Sequence, residues 1–267
     1  MPEAGAILKT ENSGHAHQGG LRARLKRREA LLAAFIPAPS PELVEIAAYS
    51  EFDFVVIDAE HGSMGPGEIT HMIRAAQAAH LPSIVRVPLC TKDYVLRSLD
   101  AGAQGVLVPQ VDTLEDAQAA VAETHYPPQG RRGAAFYSRQ HRYTRDSGWQ
   151  VLQDANDSVV TGGMIESAAG GENVEAISRL EGIDLILFGS SDLSVCLGNG
   201  PDNAEAVRQA RQRVGAAAQR AGLSAGCSIS LPEEAKRQRD AGYNLLVTGL
   251  LPLLLRQASS FTGQVRK

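Results

Sequence analysis

The feature that most restricts the fold of this chain is a succession of short apolar runs, each followed by an amphipathic segment after a brief gap. Such alternation lays strands parallel with a helix on each return, which excludes all-α and all-β architectures. Leu31 to Ile36 is the first run and stops at Pro37; Ser40-Pro41-Glu42-Leu43 then offers a capping serine, a proline at the first helical position and an early acid. Phe54 to Asp58 is the second strand, followed by a helix over Glu68 to Ala79 with Ile69, Met72, Ile73 and Ala76 on one side. Ser83 to Val87, a helix from Lys92 to Leu99, Gln104 to Val108 and a helix over Thr113 to Glu123 continue the series. The rhythm breaks from His125 to Gln150. It resumes with Val159 to Ile165, a helix near Asn173 to Leu180, Asp184 to Phe188 and a long helix over Asn203 to Ala221. Leu223 to Ser228, Pro232 to Ala241, Leu245 to Val247 and Leu250 to Ser259 complete eight strand–helix units. These predict an α/β fold, a single (β/α)8 barrel over residues 21–267, with a doubly wound open sheet as the runner-up. A length of 267 residues, 43% of them hydrophobic, suits one such barrel without a second domain.

Outside the repeat, residues 1–20 carry Gly, Ser and charge without a period and are expected to form a flexible tail. His15 and His17 fall in it; a disordered pair is preferred to a weak metal clasp. Leu21 to Arg28 is basic and is expected to be a short surface helix with a solvated face. A net charge of −4 supplies no electrostatic reason for nucleic-acid binding. No apolar run is long enough to span a bilayer, and no charged-then-apolar leader is visible, so a cytoplasmic location is expected. Cys90, Cys196 and Cys227 are too scattered for a disulfide scaffold or a cysteine zinc site.

In a barrel the chemistry sits where strands end. The second strand runs into Asp58-Ala59-Glu60-His61-Gly62, three ionisable side chains that are costly there unless the strand opens into a site. Asp58 and His61 are three apart, so a turn can set the carboxylate against a ring nitrogen and make a general base; the bland alternative is a solvated acid pair beside a surface histidine. Arg86 interrupts the third strand between Val85 and Val87, and the fourth ends at Pro109-Gln110. The fifth ends Met164-Ile165-Glu166-Ser167 and the sixth Phe188-Gly189-Ser190-Ser191-Asp192. An acid pair (Glu166, Asp192), a base and an arginine on one rim suit metal-assisted chemistry on a carboxylate or carbonyl. Two hard carboxylates favour Mg²⁺, with Mn²⁺ or Co²⁺ as other possibilities. No lysine follows the pattern of a Schiff-base nucleophile: Lys92 and Lys236 fall in predicted helices.

Six stretches, F-D-F-V-V-I-D-A-E-H-G, I-V-R-V-P, G-V-L-V-P-Q-V, Y-P-P-Q-G-R-R-G, M-I-E-S and F-G-S-S-D-L-S, fall in this order over roughly residues 30 to 260. In this the chain resembles the HpcH/HpaI aldolase family, the class II pyruvate aldolases. The resemblance implies a (β/α)8 barrel, a divalent metal, the enolate of pyruvate or a related 2-oxo acid, and an aldehyde or acyl partner. It also implies a homo-oligomer, a hexamer or trimer of dimers, with the last helix swapped between neighbours. By the same resemblance Glu166 and Asp192 are the metal carboxylates, and His61 backed by Asp58 is the acid/base dyad. Arg86 is the arginine on the substrate oxygen, Gly189, Ser190 and Ser191 supply backbone amides to the substrate carboxylate, and Asp100 reaches a neighbouring subunit's site. Glu60 belongs to the same constellation. The chain departs from the family where Met164 replaces a common Gln, where the turn reads G-S-S-D-L-S for the usual G-P-x-D-L-S, and at Gly249-Leu250-Leu251-Pro252.

Three functions compete. The leading one is a metal-dependent aldolase or lyase working through a 2-oxo acid enolate. The second joins an acetyl thioester to oxaloacetate on the same barrel, as citrate-forming relatives do. The third is a non-catalytic barrel kept for binding or assembly. The segment from Tyr126 to Tyr143, with Arg131, Arg132, Arg139 and His141, is expected to lie over the rim holding His61 and Glu166 and to help bind the acidic part of the second substrate or close over it. Its arginines and aromatics also suit single-stranded nucleic acid, a weaker alternative on an acidic chain. No G-x-G-x-x-G follows a strand, which leaves a dinucleotide site little support.

Overall fold

Strand β1 (Leu31–Ile36) hydrogen-bonds on one side to β2 (Phe54–Asp58) and on the other to β8 (Leu245–Gly249), and that second pairing closes the sheet. The computed structural model describes residues 20–198 and 201–266. Between these strands run β3 (Ser83–Arg86), β4 (Gly105–Val108), β5 (Val160–Ile165), β6 (Leu185–Phe188) and β7 (Ser224–Ser228), all parallel and in sequence order. The closed order excludes the open sheet. Among the described residues the helices are α1 (Leu21–Lys26), α2 (Pro41–Tyr49), α3 (Pro66–Ala78), α4 (Lys92–Asp100) and α5 (Leu114–Thr124), then α6 (Trp149–Ser158), α7 (Ala168–Ser178), α8 (Ser190–Cys196), α9 (Pro201–Ala221), α10 (Glu234–Asp240) and α11 (Leu250–Val265). None is long and apolar enough to cross a membrane. The tail predicted over residues 1–20, with His15 and His17, lies outside the described residues except for Gly20.

Side-chain alternation along the strands makes two apolar layers. Val55 and Ile57 of β2 point out toward the helices, whereas Phe54 and Val56 point into the barrel with Ile84, Leu107, Val160, Met164, Leu187 and Val247. Continuing the inward set by one step at the C-terminal ends carries Val56 to Asp58, Ile84 to Arg86 and Met164 to Glu166. The period of the strand alone therefore aims these three side chains into the mouth.

Two sequence expectations are corrected at the opposite end. The basic stretch after Gly20 is not a solvated face. Leu21 and Leu25 of α1 are buried with the interior layer, so the helix plugs the barrel from below. Its arginines are used there: Arg22 donates to Asp184 at 2.7 Å, Arg24 bonds Glu29 and Asp53, and Arg28 donates to the Gly242 carbonyl at 2.8 Å. The Tyr126–Tyr143 segment does not cover the rim of His61 and Glu166. Helix α5 intervenes after β4 and returns the chain to the N-terminal end of the strands, so the segment starts from the bottom. There it packs on the ends of α3 and α4. Arg132 donates to Asp100 at 2.9 Å and to Gln140, and Arg139 donates to Gln77 and to the Ala101 carbonyl at 3.2 Å. His141 is buried, 3.2 Å from the Tyr126 hydroxyl. Asp100, Arg139 and His141 are thus gathered with one another, away from the strand C termini of their own barrel.

Leu25 has no exposed surface and seals the interior layer. Leu25→Ala should cost about 2–5 kcal/mol, the range for a buried leucine that leaves a cavity. An unchanged urea midpoint would show that α1 is not part of the barrel core.

Candidate active site

The centre of the mouth is an ion pair written by strand register. Asp58 of β2 and Arg86 of β3 are direct neighbours across the ladder. The guanidinium meets the carboxylate edge-on, Nε to Oδ1 at 2.8 Å and Nη2 to Oδ2 at 2.6 Å, with both side chains buried. Asp58 Oδ1 also accepts the backbone N–H groups of Glu60 and His61 at 3.1 and 3.3 Å, which shapes the turn after the strand. Only glycine fits next: a Cβ on Gly62 would lie 1.9 Å from the Asp58 carbonyl oxygen and 2.8 Å from that of Pro37. The Arg86 plane is 5.0 Å above the Phe35 ring, and its remaining Nη1 faces the Met164 sulfur at 3.7 Å and Glu60 Oε2 at 3.0 Å. The Glu60 contact is an ion pair without hydrogen-bond alignment.

This arrangement corrects the expected Asp58–His61 dyad. Both oxygens of Asp58 are engaged by Arg86, and Asp58 meets His61 only through its backbone N–H. The imidazole is largely exposed at the lip, and the carboxylate it faces is Glu60, Nε2 to Oε2 at 4.0 Å.

Across the mouth, Glu166 is buried and accepts the Gln110 backbone N–H at 2.8 Å. Gln110 presents that group from the left-handed region, φ 52°, an uncommon state for a residue with a side chain. Burial, joined by the negative charges of Asp192 and Glu60, pushes the Glu166 carboxyl up to about 7 against the opposing pull of Gln110 and Arg86. Burial likewise raises Glu60, with Asp58 and Asp192 adding to it and Arg86 and His61 opposing. Asp192 sits in the first turn of α8, directly after Gly189-Ser190-Ser191. A Cβ at Gly189 would fall 2.8 Å from Glu166 Oε2, so this turn reaches Glu166 only as glycine. A cavity of about 330 Å³ opens here. Its floor is Phe35, Met164, Leu187 and Val247, and Ser228 and Thr248 join His61, Arg86 and the Gly189–Asp192 turn in its walls. The Gln110 amide and this floor were not singled out from sequence. A polar residue closing a strand at Pro109-Gln110 was the available signal for the first, and inward alternation for the second.

The donor set suits a hard divalent cation. Among the described residues no three His, Cys, Asp or Glu side chains form a closed metal cage. Glu166 and Asp192 instead form a pair of like-charged oxygen donors, one buried and pushed toward protonation, a state that a cation would reverse. Ions that keep several waters and take only one or two carboxylates bind in this way.

Comparison with known proteins agrees with the fold. Residues 31–249 match the HpcH/HpaI aldolase/citrate lyase family. The chain is 36% identical over 235 residues to a hydroxypyruvate/pyruvate aldolase of Paraburkholderia phytofirmans, covering 85% of this chain and 89% of that one. A crystal structure of a HpcH/HpaI aldolase/citrate lyase family protein from Burkholderia cenocepacia superposes with a TM-score of 0.86 at 33% identity, covering 92% of this chain and 99% of that one. The citrate synthase SbnG superposes with a TM-score of 0.80 at 27% identity, covering 93% and 99%. The chain belongs to the HpcH/HpaI aldolase/citrate lyase family and is a carbon–carbon lyase.

Removing Asp58 and removing His61 should have opposite signatures. Asp58→Ala leaves a buried guanidinium without its bidentate partner and should lower stability by about 3 kcal/mol or more. His61→Ala, at an exposed position, should stay within about 0.5 kcal/mol of the parent. Equal urea midpoints for all three proteins would remove the Asp58–Arg86 pair from its central place.

Proposed function

We propose that the mouth of this barrel forms or cleaves a carbon–carbon bond next to the keto group of pyruvate or a related 2-oxo acid, with an aldehyde as the other fragment. The observation that carries this reading is that Arg86 and Asp192 line one small cavity with an apolar floor, with the buried Glu166 carboxyl close enough to feel the charge of both. A divalent cation held by Glu166 and Asp192, Mg²⁺ in the first instance and Mn²⁺ or Co²⁺ otherwise, would supply Lewis-acid polarisation of the keto oxygen. The chain's own groups do the rest. Arg86, fixed by Asp58 and stacked on Phe35, offers Nη1 to the oxygen on which negative charge develops. The N–H groups of Gly189, Ser190 and Ser191 hold the substrate carboxylate. His61 moves the proton on the oxygen of the second fragment, with the Glu60 carboxylate facing its ring at 4.0 Å. Phe35, Met164, Leu187 and Val247 keep water from below and lower the local dielectric. Asp58 serves through Arg86 and is a positioning residue.

The 36% identity to an aldolase over 85% of the chain favours this reading over citrate formation, since the citrate synthase stands at 27%. The intact Asp58–Arg86 pair and the coupled carboxylates speak against a barrel retained only for binding. A cytoplasmic setting is part of the same proposal. Proton loss from pyruvate C3 in D2O, followed by NMR, tests it. Exchange should require Mg²⁺ or Mn²⁺ and stop on chelation, and Mn²⁺ binding itself should weaken at least tenfold in Glu166→Gln. Full exchange after chelation, or a lysine adduct trapped by borohydride, contradicts the proposal.

A homo-oligomer is proposed on α11. Only Leu250 of this helix is buried, while Leu254, Leu255, Phe261 and Val265 are exposed along it. An apolar face of this kind is expected to be covered by a neighbouring copy, in a hexamer or trimer of dimers. Light scattering should find an oligomer that Leu255→Glu with Phe261→Glu dissociates; a monomeric parent protein would refute the assembly.

A further inference from the structure

The two oxygens of Glu166 have different surroundings. Oε1 accepts the Gln110 backbone N–H at 2.8 Å, while Oε2 is turned to the Gly189 turn that leads into Asp192, 2.8 Å from where a Cβ on Gly189 would lie. The donor belongs to a residue whose side chain is exposed and whose φ is 52°. Left-handed backbone is sterically disfavoured for any residue with a Cβ.

The neighbours of Gln110 hold it in that state. Strands β4 and β5 stay in register up to Val108 opposite Gly163, and the next contact is the Val111 N–H on the Met164 carbonyl at 3.0 Å. Between these contacts the β4 side advances three residues and β5 only one, so the chain has to fold back within Pro109-Gln110. Proline is locked at a φ of about −65°, which leaves the fold to Gln110. Val111 is fully buried and lies over two glycines. A Cβ would fall 3.1 Å from Val111 Cγ2 at Gly163 and 3.0 Å from the Val111 carbonyl oxygen at Gly170. The Asp112 carbonyl then accepts the Asn173 side-chain amide at 2.7 Å, and its carboxylate accepts the Ser167 hydroxyl at 2.5 Å. Ser167 directly follows Glu166, so the turn after β4 is tied to the same strand end that carries the acid.

We propose that Gln110 is a positioning residue of the metal site, acting through its left-handed main chain and not through its side chain. Its N–H fixes Glu166 Oε1 and leaves Oε2 to the cation beside Asp192. The inference rests on the reading of Glu166 and Asp192 as the cation's carboxylates. A carboxylate with two free oxygens has to be ordered when an ion arrives, whereas one already held by a backbone donor is ordered beforehand. Position 110 therefore has a conformational requirement: an N–H delivered at positive φ.

Replacing Gln110 by the corresponding α-hydroxy acid turns its backbone amide into an ester and deletes that N–H alone. With the whole chain freed of metal, and Mn²⁺ binding followed by EPR without substrate, the ester should weaken binding by about tenfold or more, the scale of a lost outer-shell partner. The same ester in Glu166→Gln should add less than about twofold, because the N–H acts through that carboxylate. Gln110→Gly, which adopts a positive φ without strain, should bind Mn²⁺ at least about tenfold more tightly than Gln110→Val, whose branched side chain opposes it. Should Gln110→Val fail to fold, the ester decides. An ester that binds Mn²⁺ as tightly as the parent protein overturns the proposal. Equal weakening by the ester with and without Glu166 overturns it too, since the N–H would then serve the scaffold. Loss of binding in Gln110→Gly matching that in Gln110→Val also overturns it, because the side chain would be the working part. Mn²⁺ binding by the parent that is indifferent to Glu166→Gln is a different failure: it strikes the metal reading, and this inference with it.

Discussion

Asp58 and Arg86 face each other across neighbouring strands, and the rest of the mouth is arranged by that contact. Two charges taken out of water cost several kcal/mol each, and the cost is offset only when geometry is good and the remaining hydrogen-bonding groups find partners. Here the fork of the guanidinium closes both oxygens of the carboxylate, and Asp58 additionally gathers the N–H groups of Glu60 and His61. One consequence is that Arg86 has a single orientation, with Nη1 turned to Glu60 and Met164 at the cavity wall. Another is that Asp58 has no oxygen to spare for an imidazole. His61 is left at the lip with Glu60 as its acidic neighbour. His61 and Arg86 are thereby linked through the carboxylates of Asp58 and Glu60.

The acids opposite Arg86 place a complementary demand on the site. Glu166 is held by one backbone N–H and is otherwise surrounded by burial and like charge, which is an unfavourable place for a second negative charge. Such a group is tolerable when a cation or a substrate shares its field. The same crowding that raises Glu166 makes the mouth receptive to a divalent cation. Preorganised groups in a low-dielectric bowl need little rearrangement as charge develops. The strained backbone at Gln110 is consistent with a loop held for that purpose.

The strands were legible because each is a short apolar run ended by a polar residue, and the polar residues were legible as a site because a barrel exposes those ends together. Asp58, Arg86, Glu166 and Asp192 follow from that logic alone. Their pairing did not, since a spacing of three along the chain suggested Asp58 with His61, whereas register across the sheet joined Asp58 to Arg86. Among the helices, α6 was missed between the aperiodic stretch and the strand read from Val159, and the start of α7 was set late because Gly170 and Gly171 weaken the signal. Helix α8 is a single short turn region that period-based reading passes over. The misplaced 126–143 segment has one cause: it follows a helix, not a strand, so it belongs to the bottom of the barrel.

That assignment also separates the molecule's two kinds of arginine. At the bottom, Arg22, Arg24 and Arg28 tie α1 to Asp184, Asp53, Glu29 and Gly242, and Arg132 ties the long loop to Asp100. All of these join segments far apart in sequence or close off the core, the work expected of the N-terminal face of a barrel. At the top, Arg86 is the one guanidinium lining the cavity among the described residues. Arg86 ties only the short turn after its neighbouring strand, through Asp58 and Glu60, and opens onto a cavity rather than onto a distant segment of the chain.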